Sequence, residues 1–126
     1  MTVIRSPEQI TERIHDIQST LPAAVRLIAV TKLLPVELIR IAYDAGLRDF
    51  GESRVQEAMQ KQAELQDLPD ITWHLIGHLQ TNKIRKAVEH FQWIHSVDTL
   101  KLAKKLNQAA LELQCSPQCC LQVKML

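Results

Sequence analysis

A chain of 126 residues with 46% hydrophobic and 23% charged side chains has the make-up of a soluble globular protein with a core of its own, expected as one domain over residues 1–126. Its 15 Lys and Arg nearly balance its 14 Asp and Glu, and a net charge of +1 gives no electrostatic reason to expect nucleic acid or an anionic membrane as partner. No apolar run approaches the length of a membrane span, and the N-terminus "MTVIRSPEQITERIHD" lacks the apolar stretch of a signal peptide, so a cytoplasmic protein is expected.

Ser6, Pro7 and Gln9 read as a helix start: an N-cap, a proline in the first turn and a capping-box partner. Ile10, Ile14, Ile17 and Leu21 follow at helical spacing, and Pro22 stops the helix. "VRLIAVT" is a short apolar run that suits a parallel strand buried on both faces. Pro35 opens a second helix with Leu38, Ile39 and Ala42 on one side, and Gly46 closes it. "LRDF" is a short strand, and "ESRVQEAMQKQAELQ" a third helix with Val55, Ala58, Met59 and Ala63 on its apolar face. "ITWHLIG" is strand three, "TNKIRKAVEH" a short helix and "FQWIHSV" strand four. "DTLKLAKKLNQAALELQ" is a long helix whose Leu100, Ala103, Leu106, Ala110 and Leu113 form a stripe, and "CCLQVKML" begins strand five. Cys115, Cys119 and Cys120 are expected as free thiols in a reducing compartment, with no metal site.

Strands alternating with helices predict an α/β fold with a parallel sheet and helical crossovers. Two architectures fit, an open doubly wound sheet and part of a (β/α)8 barrel. No G-x-G-x-x-G or P-loop follows the first strand, which weakens the nucleotide-binding form of the open sheet. A barrel takes about 250 residues, so this chain would supply its first half or a little more. An end inside the apolar run "LQVKML" is expected of a fragment.

In both architectures ligands bind at the carboxyl ends of the strands. Lys32 ends strand one. Gly51, Glu52 and Ser53 follow strand two, Gly77, His78 and Gln80 strand three, and His95, Ser96 and Asp98 strand four. An amine at a partly buried strand end loses hydration, which favours its neutral form, a nucleophile able to form an imine with an aldehyde. The ordinary alternative is a lysine whose head reaches solvent, and from position alone that is the commoner case. His74 and His78 are four apart but span a strand and its exit, so they are not expected to share a metal ion. Glu52 and Glu57 are expected at a helix start, where carboxylates suit the dipole, and not as a catalytic pair. Lys83, Arg85 and Lys86, like Lys101, Lys104 and Lys105, read as solvated helix faces.

The segments "AVTK", "FGESRVQE", "WHLIGHLQTNK" and "HSVD" occur in the order and at roughly the spacing of the YggS/PROSC family of pyridoxal 5'-phosphate (PLP) homeostasis proteins. The chain resembles that family over almost its whole length, and its tail "CLQVKML" resembles the cyanobacterial type. The resemblance implies a (β/α)8 TIM barrel of PLP fold type III, like the barrel of alanine racemase, with about the first five strands present. It implies PLP held as a Schiff base on Lys32. Ser53 stands where the family usually has the asparagine of "FGEN", and offers one hydroxyl in place of an amide. Ser96 and His78 are carried over as further cofactor-pocket residues.

The family binds the cofactor phosphate through the last strands and their loops, as barrels generally do. Those residues, and the group facing the pyridine nitrogen, would follow Leu126. A chain ending there is expected to form a half barrel with exposed strand edges and to hold PLP weakly or not at all.

The function implied is that of a PLP carrier without turnover of its own and without catalytic residues. The expected partners are PLP and PLP-dependent client enzymes, and the full-length protein is expected to be a monomer. The alternative is a racemase-like PLP enzyme. Two-base racemisation needs an acid–base partner opposite the lysine, a tyrosine from another domain in the racemases, and the one tyrosine here, Tyr43, is expected inside helix two. An interaction module is a third reading, which aromatic residues at 4% do not support.

Overall fold

The computed structural model describes residues 6–125. Helix α1 (Pro7–Thr20) starts as the sequence predicts: Ser6 Oγ accepts from the Gln9 N–H at 3.2 Å while Gln9 Oε1 accepts from the Ser6 N–H at 3.0 Å. Only Ile14 of its apolar stripe is buried; Ile17, expected in the core, is 48% exposed. Strand β1 is just Ala29–Val30, much shorter than the "VRLIAVT" run, and stands at an edge of the described sheet.

The units that follow are α2 (Val36–Asp44), β2 (Asp49–Glu52), α3 (Val55–Glu64), β3 (Thr72–Leu75), α4 (Ile84–His90, after a 3-10 turn at Thr81–Lys83), β4 (Trp93–Val97), α5 (Leu100–Leu113) and β5 (Gln118–Leu121). Gly46 ends the second unit at φ +107, a conformation that favours glycine. Thr99 caps α5 by accepting from the Leu102 N–H at 3.1 Å. The buried stripe of α5 is Leu102, Leu106 and Ala109. Leu100, expected inside, is 70% exposed because it stands in the first turn on the solvent side.

The five strands lie in the order β1-β2-β3-β4-β5 with every pair parallel. A doubly wound sheet must reverse its strand order at a switch point. An unbroken order with right-handed crossovers instead sends every helix to one face, which is the winding of a (β/α)8 barrel. Register defines the two faces. Glu52, Leu75, Ile94 and Cys119 share one row, and Phe50 and Trp73 the row below; these point to the helices. Val30, Gly51, His74, Trp93 and Gln118 form the row on the opposite face. The core fills the helix side, where Phe50, Leu75 and Ile94 pack with Ile39, Ala58 and Ala87 at 0% exposure each. No helix among the described residues is long and apolar enough to cross a membrane.

Two boundary shifts matter for the site. Strand two was expected at "LRDF" but runs from Asp49 to Glu52, because Leu47 serves as a core plug below the sheet. Helix three therefore begins at Val55, and Glu52 is a strand residue, not a helix-start carboxylate. Within α3 the expected apolar Ala63 is exposed, and Lys61 is buried in its place.

Candidate functional site

The strand ends present the expected residues in different settings. Lys32 stands two residues beyond the end of β1 and is exposed, so the loss of hydration expected of a partly buried amine is not met. Its amine pairs with no carboxylate among the described residues. Ser53, half-buried, and His78, exposed, come together in a cleft of about 520 Å³ between the ends of β2 and β3, with Gly77, Gln80 and Lys83 also in its wall. Lys32 and Ser96 do not line that cleft. A Cβ on Gly77 would lie 2.3 Å from the Ser53 carbonyl oxygen, so the two strand exits can approach this closely only with glycine there.

Ser96 is 3% exposed, and its hydroxyl has no hydrogen-bond partner among the described residues. It sits in an irregular stretch: β4 advances three residues, Ile94 to Val97, while β5 advances two, Cys119 to Leu121. Such a bulge re-aims the side chains at a strand end. A buried hydroxyl without a partner is rare in folded proteins.

The sequence did not disclose the polar cluster on the helix side. Glu52 is fully buried, and the ammonium of Lys61 reaches it from α3, with Nζ 3.0 Å from both carboxylate oxygens. Lys61 Nζ also donates to the Thr31 carbonyl at 2.7 Å, and the Thr31 hydroxyl donates to Glu52 Oε2. Glu57 completes the group 3.6 Å from Lys61. The signal available in the sequence was a lysine at the helix position where an apolar residue belongs, nine residues beyond a carboxylate.

On the opposite face a chain of polar groups crosses three strands. His74 is 1% exposed; its Nε2 lies 2.8 Å from Asp49 Oδ1 and its Nδ1 2.9 Å from His95 Nε2. A carboxylate only accepts, so a proton of His74 sits on Nε2, and the contact of its Nδ1 with His95 Nε2 needs a proton on one of those two nitrogens. Both ring nitrogens of His74 are thus satisfied. Trp93 stacks on His74 at 5.8 Å, and Arg26 lies 3.7 Å from Asp49.

Burial, and then the neighbouring His74, hold the His95 imidazole below its ordinary 6.5. The unfolded chain therefore binds this proton more readily than the folded one. The contribution to stability is complete above about 6.5 and is lost as the pH falls through the lowered folded value. The midpoint of urea unfolding is expected to drop on acidification below that point, and to drop less in a His95→Gln variant, which keeps a donor toward His74. An equal slope in both would remove His95 as the cause.

The protein comparisons agree with the barrel winding of the sheet. Residues 6–125 match the family described as "Alanine racemase, N-terminal domain". The chain belongs to the alanine racemase N-terminal domain family. Its curated relatives include a pyridoxal phosphate homeostasis protein of Synechocystis sp., 54% identical over 111 residues, or 88% of this chain and 51% of that one. A protein of the same name from Pseudomonas aeruginosa is 58% identical over 87 residues, or 69% and 37% of the two chains. This chain thus spans between 37% and 51% of the length of the curated relatives it matches. Among solved structures, PipY of Synechococcus elongatus is 63% identical with a TM-score of 0.92 over 94% of this chain and 55% of its own. PipY has been solved both without PLP and with PLP bound. An alanine racemase of Clostridium difficile shares the fold at 14% identity and a TM-score of 0.74 over 89% of this chain and 30% of its own.

Proposed function

We propose that this chain is the cofactor-bearing part of a PLP homeostasis protein, in which Lys32 takes up PLP reversibly and releases it without catalytic turnover. The observation that carries the reading is the Lys32 amine: exposed, free of any carboxylate among the described residues, and placed at the carboxyl end of a β/α-sheet strand. The names of its relatives and the PLP-bound PipY structure support the same reading. When bound, the cofactor supplies an aldehyde, the electrophile that a primary amine attacks reversibly. The residues present suit such a group. Ser53 and His78 offer polar contacts from the adjoining cleft, and Ser96 holds a buried hydroxyl with an unused hydrogen bond. PLP-dependent client enzymes in the cytoplasm are the proposed recipients, and the full-length protein is proposed to act as a monomer.

A racemase needs a second acid–base group facing the lysine. Tyr43 does not occupy that position. Its hydroxyl donates to Asp70 Oδ1 at 2.5 Å, before the start of β3, and Arg48 covers its ring at 3.6 Å. That is the amino end of the sheet, opposite Lys32. The carrier reading therefore expects that amino acids in heavy water with PLP gain α-deuterium no faster when the protein is added. It also expects loaded protein to restore activity to a PLP-dependent apoenzyme. Protein-accelerated deuteration would replace the carrier reading with the racemase one.

A further inference from the structure

Lys32 stands on a turn that the chain would not adopt by itself. The Leu34 N–H donates to the Thr31 carbonyl at 3.1 Å, closing a turn with Lys32 and Leu33 at its centre. Leu33 has φ +61, and Lys32 is not among the positive-φ residues. That sign pattern belongs to a type II turn, which asks for glycine or asparagine at the third position. A leucine there is strained, and the strain persists only where surrounding contacts impose it. Packing of the leucine is not the cause, because its side chain is 80% exposed.

The contacts that impose it come from the buried cluster. Glu57 Oε1 accepts from the Leu33 N–H at 2.8 Å. Lys61 Nζ holds the Thr31 carbonyl at 2.7 Å, and Glu52 accepts from the Thr31 hydroxyl. The residues on both sides of Lys32 are therefore gripped by one charged group rooted in β2 and α3, while Lys32 itself is left free. A buried ion pair whose only task was to fasten α3 to the sheet would have no need to reach across to the turn.

We propose that Lys61, Glu52 and Glu57 are positioning residues that hold the Thr31–Leu34 turn in its strained form and so fix where the Lys32 amine stands. This rests on the reading of Lys32 as the cofactor-binding lysine. None of the three touches the cofactor in this account; they act through the backbone.

Glu57 is the residue to change, because it is partly exposed and its loss leaves the buried Lys61–Glu52 pair in place. The test compares the full-length protein that carries this chain with its Glu57→Ala and Glu57→Gln variants. Hydrogen exchange at the Leu33 and Leu34 amides reports the turn. Borohydride reduction with excess PLP, followed by peptide mapping, reports the amine. The alanine variant is expected to exchange faster at both amides and to lose about tenfold or more of its label at Lys32, the order expected of a misplaced reacting group. Label at the exposed Lys86 and Lys105, and the circular dichroism spectrum, should stay as in the parent. Glu57→Gln should restore both readouts, since an amide oxygen still accepts from the Leu33 N–H. A Glu52→Leu/Lys61→Met double variant, which removes the hold on Thr31 and leaves no charge at the fully buried position 52, should lose label like the alanine variant. If the parent labels Lys32 and the alanine variant labels it equally, the positioning role is wrong and the cofactor reading stands. If the parent does not label Lys32, the cofactor reading falls, and the positioning role with it.

Discussion

Lys61→Met is expected to lower the stability of the fold by about 3–5 kcal/mol, the usual effect of removing one partner from a buried ion pair. Methionine matches the length of the lysine stem, so little packing is lost. What is lost is the one cation, among the described residues, that pairs with a carboxylate of 0% exposure. Glu52 would keep the Thr31 hydroxyl and little else, and the Thr31 carbonyl would lose its 2.7 Å donor. The Glu52→Leu/Lys61→Met double variant should recover much of the loss, because a hydrophobic pair of similar volume avoids the desolvation cost that the charges incur. The exposed pair Arg85–Glu112 is the internal control: breaking it should change stability by less than about 1 kcal/mol. Urea unfolding of the four proteins measures this directly. A Lys61→Met variant as stable as the parent would mean that water reaches Glu52 in solution.

The architecture was legible because its signals are local and repeated. The Ser6–Gln9 capping box, Pro35 and Gly46 mark element ends by backbone chemistry that does not depend on the rest of the fold. The alternation of strands and helices left two sheet orders open, and only pairing in space, β1 through β5 without reversal, decides for the barrel winding. Register was less legible. A shift of two residues in β2 turned Glu52 from a helix-start residue into a buried strand end. The partner that makes this tolerable, Lys61, comes from α3.

The candidate site was named from two signals. Strand ends pointed to Lys32, Ser53, His78 and Ser96, and four family-like segments implied a role for each. The structure groups Ser53 with His78 and leaves Lys32 and Ser96 outside their cleft. No pattern in the sequence announces that Leu33 has φ +61, because leucine is not a residue that signals positive φ. Nor does it show that Thr31 and Leu33 are held from α3. Those contacts join residues some 24 to 30 positions apart, and no local periodicity encodes them.

The second large effect concerns the amine itself. Lys32→Ala removes one exposed side chain from a turn whose backbone is held by Glu52, Glu57 and Lys61, so the fold should be indifferent to it. Its effect on cofactor capture should be near complete, since no other side chain at these strand ends is a primary amine placed on such a turn. Lys83 borders the Ser53–His78 cleft and is the residue to watch for misplaced label. Lys61 is held by carboxylates and buried, and should stay unlabelled.

The most direct measurement is therefore borohydride reduction of the full-length protein that carries this chain with PLP, followed by peptide mapping of the fixed pyridoxyl group in the parent and in Lys32→Ala. The account predicts one dominant label, on Lys32, and its loss in the variant with the unfolding midpoint unchanged. Label spread evenly over the exposed lysines, or a variant that is labelled as strongly as its parent, would contradict it.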